Sequence, residues 1–346
     1  MARTGTGERR RVNLALQGGG AHGAFTWGVL DRLLDEKRLA FDGISGTSAG
    51  AMNGAALVSG YGKGGAAGAR QALDEFWRGV SELGLLSPIH RNWYERLTGS
   101  WNIDDSPAAV LVDLLSQVVS PYQTNPLNLS PLRDLLTSLI DFDALRKCPD
   151  IRFFICATAV STGKVRVFER QEMTVDMLLA SAALPTVFQA AVIDGEAYWD
   201  GGYMGNPAIF PLIYECASPD VVIVQINPLT RKETPKSAAD IMNRLNEITF
   251  NASLMREMRA IAFVQKLLDN LPKDLPVIGE LKRMHIHLIE DEHAMESLGV
   301  SSKLNTDLDF LLHLKKMGQE TAERWLRKNF DAIGERSTVD IRKTFL

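Results

Sequence analysis

Apolar residues along this chain follow two rhythms, and the order in which those rhythms appear sets out an architecture. Residues 12–16 form a short apolar, β-compatible run that passes through three glycines into residues 24–34, where apolar positions recur at helical spacing. A second unit repeats the arrangement, with residues 41–45 as a strand, 46–50 as a turn and 51–59 as a helix of small residues. Consecutive strand–helix units predict parallel pairing, because a crossover helix returns the chain to the end of the sheet it left. Residues 60–150 change character, with glycines at 60, 62, 64, 65 and 68 followed by scattered Trp, Pro and apolar helical patches. They read as a helical insertion over the core.

Strand-like runs return at 151–160, 164–168 and 221–226. The first and last are nearly all apolar, as strands covered on both faces must be. Behind Ser237 and Asp240, which resemble a capping box, Ile241, Leu245, Ile248, Ala252, Met255, Met258, Ala262 and Leu268 keep a helical spacing that fits one long helix or two. Residues 285–289 fit a last strand, and Leu304, Leu308, Leu311, Leu312, Trp325 and Leu326 mark further helix faces. The expected fold is a three-layer α/β/α domain with a mostly parallel central sheet, a helical insertion and C-terminal helices. The expected division is a solvated N-terminal arm at 1–11, a core at 12–228 carrying a lid-like insertion at 60–150, and a mainly helical region at 229–346 packed on the core.

Composition narrows the function. The chain has 346 residues, 45% hydrophobic and 23% charged, enough apolar side chain for one large core. A net charge of −4 disfavours a nucleic-acid partner. Cys148, Cys156 and Cys216 lack any Cys-x-x-Cys spacing, which argues against a disulfide framework or a thiolate metal site and fits a reducing cytoplasm. Arg3, Arg9, Arg10 and Arg11 precede too short an apolar stretch for a secretory leader. Pro185 and Gln189 interrupt the most apolar stretch, so no membrane span is predicted. Trp77, Trp93, Tyr94 and Trp101, with Leu85, Leu86 and Ile89, are expected either to line a lid that touches a membrane surface peripherally or to belong to the core.

Candidate chemistry sits in three glycine-rich places. Gly46-Thr47-Ser48-Ala49-Gly50 is a Gly-x-Ser-x-Gly elbow between a predicted strand and helix, where small neighbours permit the sharp turn that lifts a serine hydroxyl clear of the backbone. The helix after Ser48 presents free N–H groups and the positive end of its dipole. Gly18-Gly19-Gly20-Ala21-His22-Gly23 lets several N–H groups converge on one anion, and also matches a dinucleotide fingerprint with Asp42 at the matching distance. Asp200-Gly201-Gly202 offers a carboxylate on a turn.

Together these pieces resemble the patatin-like phospholipase family, whose pattern is a glycine-rich oxyanion loop, a Gly-x-Ser-x-Gly elbow and a distal Asp-Gly-Gly or Asp-Gly-Ala. Ala180-Ser181-Ala182-Ala183-Leu184-Pro185 is similar to a further stretch of that pattern, and the likeness runs from about residue 12 to residue 206. The resemblance implies a patatin-like fold and a serine acyl hydrolase acting on phospholipid or related carboxylic esters. Ser48 would be the nucleophile and Asp200 the base. Gly18, Gly19, Gly20 and the Ala49 N–H would hold the oxyanion, with His22, Gly23, Gly46, Gly50, Gly201 and Gly202 in support. It implies an acyl-ester partner and neither metal nor organic cofactor; the oligomeric state stays open. An aspartate of ordinary pKa is a poor base for serine, so Asp200 is expected to be buried. One departure stands out: His22 occupies a position that is Arg or Lys in the family pattern, so a titratable group replaces a permanent charge. Either it tunes activity near neutral pH, or it is simply packed at a helix start.

Other readings compete. The glycine loop could bind a dinucleotide. His285, His287, His293 or His313 could complete a Ser–His–Asp triad, although one strand–helix unit before the elbow is too few for an α/β-hydrolase. The same histidines near Glu290, Asp291 and Glu292 invite a metal, without a recognised ligand pattern. A non-catalytic binding protein on the same fold is the remaining alternative.

Overall fold

A computed structural model of the chain describes residues 9–85, 101–103, 119–272, 281–299 and 301–346. The chain enters along β1 (Arg10–Leu16), crosses through α1 (Gly23–Asp35) to β2 (Leu39–Gly46), and leaves on α2 (Ala49–Gly84). Short helices α3 (Pro121–Thr124), α4 (Pro131–Leu139) and α5 (Phe142–Lys147) precede β3 (Arg152–Ala159) and β4 (Val165–Glu169). Next come α6 (Val175–Ser181), the hairpin β5 (Ala191–Ile193) and β6 (Glu196–Asp200), α7 (Phe210–Glu215) and β7 (Asp220–Val224). The C-terminal part adds α8 (Ala238–Asn270), β8 (His285–Ile289), α9 (Glu292–Glu296), α10 (Leu308–Asn329) and α11 (Ile341–Phe345).

These strands form one sheet in the order β5-β6-β3-β2-β1-β7-β8, with β4 also paired to β3. Pairings among β1, β2, β3, β7 and β8 are parallel, while β4, β5 and β6 run antiparallel to their neighbours. Strand alternation divides the core between the two faces. Val12, Leu14 and Leu16 of β1 join Phe25, Trp27 and Leu30 of α1 on one side. Ala15 joins Val221 and Ile223 of β7 and Leu254 and Met258 of α8 on the other. This is the expected three-layer α/β/α arrangement. No described helix is long and apolar enough to cross a membrane.

α10 seats the C-terminal part directly on the first strand–helix unit. A Cβ on Gly28 would lie 1.8 Å from the Lys315 carbonyl oxygen, and one on Gly318 would lie 2.1 Å from that of Phe25, so the two backbones touch where side chains are absent. That crossing brings the turn before α10 to the loop after β1.

Several expectations shift. β1 begins at Arg10, inside the predicted arm, because Arg10 N–H bonds to the Arg38 carbonyl and its guanidinium reaches the Phe330 and Asp331 carbonyls. The predicted insertion boundary at residue 60 falls inside α2, which continues to Gly84 through non-helical angles at Gly64 and Gly65. Gly64 and Gly65 break the helix into two helical halves that fold against each other where a Cβ on Gly60 would stand 2.4 Å from the Gly68 carbonyl oxygen, so the break comes four residues after the predicted one. β8 extends the sheet beyond β7, and α8 is one helix of 33 residues.

Of the aromatic residues considered for a lid, Trp77 is buried, stacked on Trp27, and donates from Nε1 to Asn53 Oδ1 at 3.0 Å. Trp101 stacks on Phe310 and His313 of α10. Both belong to the packing; Leu86, Ile89, Trp93 and Tyr94 lie outside the described residues. Replacing Trp77 by Phe keeps most of the volume but orphans the Asn53 oxygen, so urea denaturation of Trp77→Phe is expected to show a loss of about 1–3 kcal/mol.

Candidate active site

β2 ends at Gly46 and α2 begins at Ala49, leaving two residues to reverse the chain. Ser48 sits at the apex with φ 53° and ψ −122°. Such a conformation costs a non-glycine residue on the order of 1–3 kcal/mol and persists only where the surroundings enforce it. Those surroundings are tight. A Cβ on Gly46 would stand 2.5 Å from the Gly50 carbonyl oxygen, and one on Gly50 would stand 2.2 Å from that of Leu16. Thr47 Oγ1 donates to the Gly205 carbonyl at 2.6 Å, and Ser48 N–H donates to Ser181 Oγ at 3.0 Å.

The loop after β1 lies against this elbow, where a Cβ on Gly18 would be 2.7 Å from that of Ser48. Its hydrogen bonding revises one expectation. Gly18 N–H donates to Asn206 Oδ1 at 2.7 Å, so it anchors the loop and is not free to meet an oxyanion. Asn227 Nδ2 donates to the Gly18 carbonyl at 2.8 Å, and Gln17 Oε1 accepts from the N–H groups of Ile226 and Asn227 at 3.0 Å. The N–H groups of Gly19, Gly20 and Ala49 have no protein acceptor among the described residues. Gly20, at φ +58°, turns the loop against the Lys303 backbone, whose carbonyl oxygen a Cβ would approach to 2.5 Å.

Asp200 closes β6 opposite Ala157 of β3 and is fully buried, as expected. Its N–H donates to the Ala183 carbonyl at 2.9 Å and its Oδ1 accepts from Gly202 N–H at 2.6 Å. The 180–185 stretch therefore holds both partners, Ser181 gripping Ser48 and Ala183 gripping Asp200. Burial pushes the Asp200 carboxyl up to about 7, against the lowering effects of Gly202 N–H, the Ser48 hydroxyl and the Lys303 charge. Oδ2 lacks a well-formed hydrogen bond, so its contact with the Ser48 hydroxyl is a loose one. Gly201 and Gly202 are dictated by crowding: a Cβ on the first would lie 2.2 Å from the Cys156 carbonyl oxygen, and on the second 2.2 Å from Phe250 Cε1.

His22 is buried against Phe310, with Nε2 2.7 Å from Ser302 Oγ. Ser302 donates its own proton to the Gly299 carbonyl, so His22 Nε2–H is the donor between them. Burial, helped by Lys303, lowers the His22 pKa to about 3. The imidazole stays neutral across the neutral range, which removes it as a pH sensor there; it packs the helix start. Gly23 gives the room, since a Cβ there would be 2.8 Å from that of Ala49.

The rival chemistries do not assemble here. Asp42 lies within β2, where its Oδ2 accepts from Ser218 N–H at 2.7 Å, and so it is held away from the loop where a ribose would lie. Among the described residues no histidine bonds to Asp200. His287 bonds to Asp220 at 2.9 Å and to Thr338, with His285 Nδ1 3.4 Å from the same aspartate. Asp220 starts β7, whereas the elbow follows the carboxyl ends of the parallel strands. Sequence reasoning passed over Asn206, Asn227 and Lys303, which no local pattern distinguishes.

A family model described as patatin-like phospholipase matches residues 14–213. No curated protein matches the sequence. Among solved structures, the chain is similar to VipD from Legionella pneumophila, with a TM-score of 0.43 and 14% identity over 94% of this chain and 69% of that one. It is also similar to the structure of the heterodimeric ExoU–SpcU complex from the type III secretion system of Pseudomonas aeruginosa, with a TM-score of 0.39 and 16% identity over 94% of this chain and 53% of the other. The chain thus spans about half the length of that second relative.

Proposed function

The chain belongs to the patatin-like phospholipase family of lipid acyl hydrolases, and on that footing we propose that it cleaves carboxylic esters of phospholipids or related lipids through a Ser48–Asp200 dyad and an acyl-enzyme. The observation that carries the reading is the meeting of a serine held at a left-handed apex with a buried carboxylate whose Oδ2 has no other protein partner among the described residues.

In this mechanism Asp200 Oδ2 accepts the Ser48 hydroxyl proton as Oγ bonds to the ester carbonyl carbon. Charge moves to the carbonyl oxygen, which the N–H groups of Gly19, Gly20 and Ala49 stabilise at the positive end of α2. Collapse breaks the carbon–oxygen bond to the alcohol, and that alcohol takes the proton back from Asp200. Water then adds to the acyl-enzyme while Asp200 accepts its proton, and the second collapse releases the fatty acid and restores the Ser48 hydroxyl. A free aspartate is too acidic for this work. Burial corrects that, since a pKa of about 7 makes Asp200 a stronger base that is still ionised at mildly alkaline pH.

A fluorophosphonate tests the reading directly. Intact-mass analysis is expected to show one adduct, located on Ser48 by peptide mapping, with none in Ser48→Ala. Labelling absent from the wild-type protein would favour a non-catalytic binding role. Hydrolysis of p-nitrophenyl esters of increasing acyl length then measures chain-length preference. Presented with vesicles, such an enzyme would approach the membrane peripherally.

A further inference from the structure

Lys303 lies in the short turn Ser301–Leu304 ahead of α10, well outside the matched residues 14–213. The turn is pressed onto the glycine loop at several points. The Lys303 carbonyl abuts Gly20, and neighbouring Ser302 holds His22. Lys303 Nζ donates to Asn227 Oδ1 at 2.9 Å, while Asn227 Nδ2 donates onward to the Gly18 carbonyl. The ammonium also stands 6.0 Å from the centre of the Phe250 ring, whose edge meets Gly202. It therefore sits between the loop that would hold an oxyanion and the turn that carries Asp200.

An ammonium has three N–H donors, of which Asn227 takes one. No carboxylate among the described residues lies within ion-pair distance of it. The charged groups that face it are Asp200, Glu247 of α8 and Arg231, with neutral His22 on the loop. Glu247 is already engaged, 3.2 Å from Arg231 Nε and 3.0 Å from Arg244 Nη1. With Glu247 shared between two arginines, Asp200 is the carboxylate facing Lys303 that has no other cation acting on it.

We propose that Lys303 is the positioning residue of this active site, a cation lent by the C-terminal segment that holds the glycine loop through Asn227 and favours the ionised form of Asp200. The inference rests on the dyad reading above. Its electrostatics are consistent: Lys303 lowers the Asp200 pKa, and burial chiefly lowers that of Lys303 itself to about 8. Activity then needs Asp200 ionised and Lys303 protonated, so it rises through about pH 7 and falls above about pH 8.

The test is the rate of fluorophosphonate labelling at Ser48 between pH 5 and 10 in wild type, Lys303→Met and Lys303→Arg. Lys303→Met is expected to label at least ~10-fold more slowly at pH 7.5, with its rising limb displaced upward, as loss of a neighbouring opposite charge requires. Lys303→Arg should keep the rising limb and lose the falling one, because a guanidinium does not titrate in this range. A purely structural lysine would leave both limbs in place. If Lys303→Met labels with an unmoved rising limb, or Lys303→Arg retains the falling limb, the inference is wrong while the hydrolase reading stands. Should Lys303→Met not fold, the falling limb of Lys303→Arg decides alone. A wild type that never labels overturns both.

Discussion

Asp200→Asn is expected to lose ester hydrolysis by a thousandfold or more while becoming no less stable. The catalytic loss follows from removing the acceptor for the Ser48 proton: general-base catalysis is typically worth about 10²–10⁴ in rate, and an amide cannot replace it. A thousandfold corresponds to about 4 kcal/mol of transition-state stabilisation. Stability should move the other way. Between the ordinary carboxylate range and about pH 7, buried Asp200 retains a proton that the unfolded chain has released, so the native state loses stability as pH rises through that window. Above about pH 7 the full penalty of an ionised, buried carboxylate is present. An uncharged amide of the same shape removes it, and its Oδ1 can still accept from Gly202 N–H. Urea denaturation at pH 8 alongside kcat for a p-nitrophenyl ester checks both halves. A variant that stays active excludes Asp200 as the base; one that is inactive and markedly destabilised would mean that the carboxylate is structural.

Gly50→Ala should be nearly as severe for activity, for a different reason. Its added methyl would begin 2.2 Å from the Leu16 carbonyl oxygen, which belongs to the backbone of β1 and has no rotamer through which to retreat. Either the elbow separates from the glycine loop or β1 shifts against β2. Overpacking of this kind costs about 1–3 kcal/mol, and a 1 Å displacement of reacting groups alone costs about a hundredfold in rate. Loss of kcat by a hundredfold or more, with reduced stability in urea, is the expected result. Gly64→Ala is the control: nothing lies within 4 Å of its Cβ position, its φ of −147° suits any residue, and activity should be unchanged. Equal behaviour of the two variants would show that the elbow tolerates the movement.

Two features of the site act on each other. The Ser48 apex is strained, and the Asp200 carboxyl is desolvated, so both carry energetic costs that their supports must offset. Those supports are shared. One stretch grips both residues through Ser181 and Ala183, and one pair of asparagines, Asn206 and Asn227, clamps Gly18 from either side. A change in any of them is therefore expected to alter activity before it alters the fold.

Much of this was readable from the chain alone, because its informative patterns are local. A run of apolar residues between glycine turns identifies a buried strand whatever lies beyond it, and a serine flanked by glycines announces a sharp turn by steric necessity. The order of the first two strand–helix units, the elbow at Ser48 and the helical spacing through residues 237–271 were accessible in this way, whereas the burial of Asp200 was expected only from the base role that the family resemblance implies. The hairpin leading to Asp200 also carried a local signal, Asp194-Gly195 at positive φ, in a dipeptide that favours tight hairpin turns. Among the glycines at 60, 62, 64, 65 and 68, those at 64 and 65 break the helix while those at 60 and 68 let its two halves approach, and only packing separates the two roles. What no local pattern contains is which distant groups meet. Gly18 N–H is spent on a residue 188 positions away, and His22 is neutral because Phe310 and Ser302 enclose it. Lys303 reaches the site because Gly28 and Gly318 let two helices touch. Charge state and hydrogen-bond supply depend on burial and on partners, and those are set when the layers close.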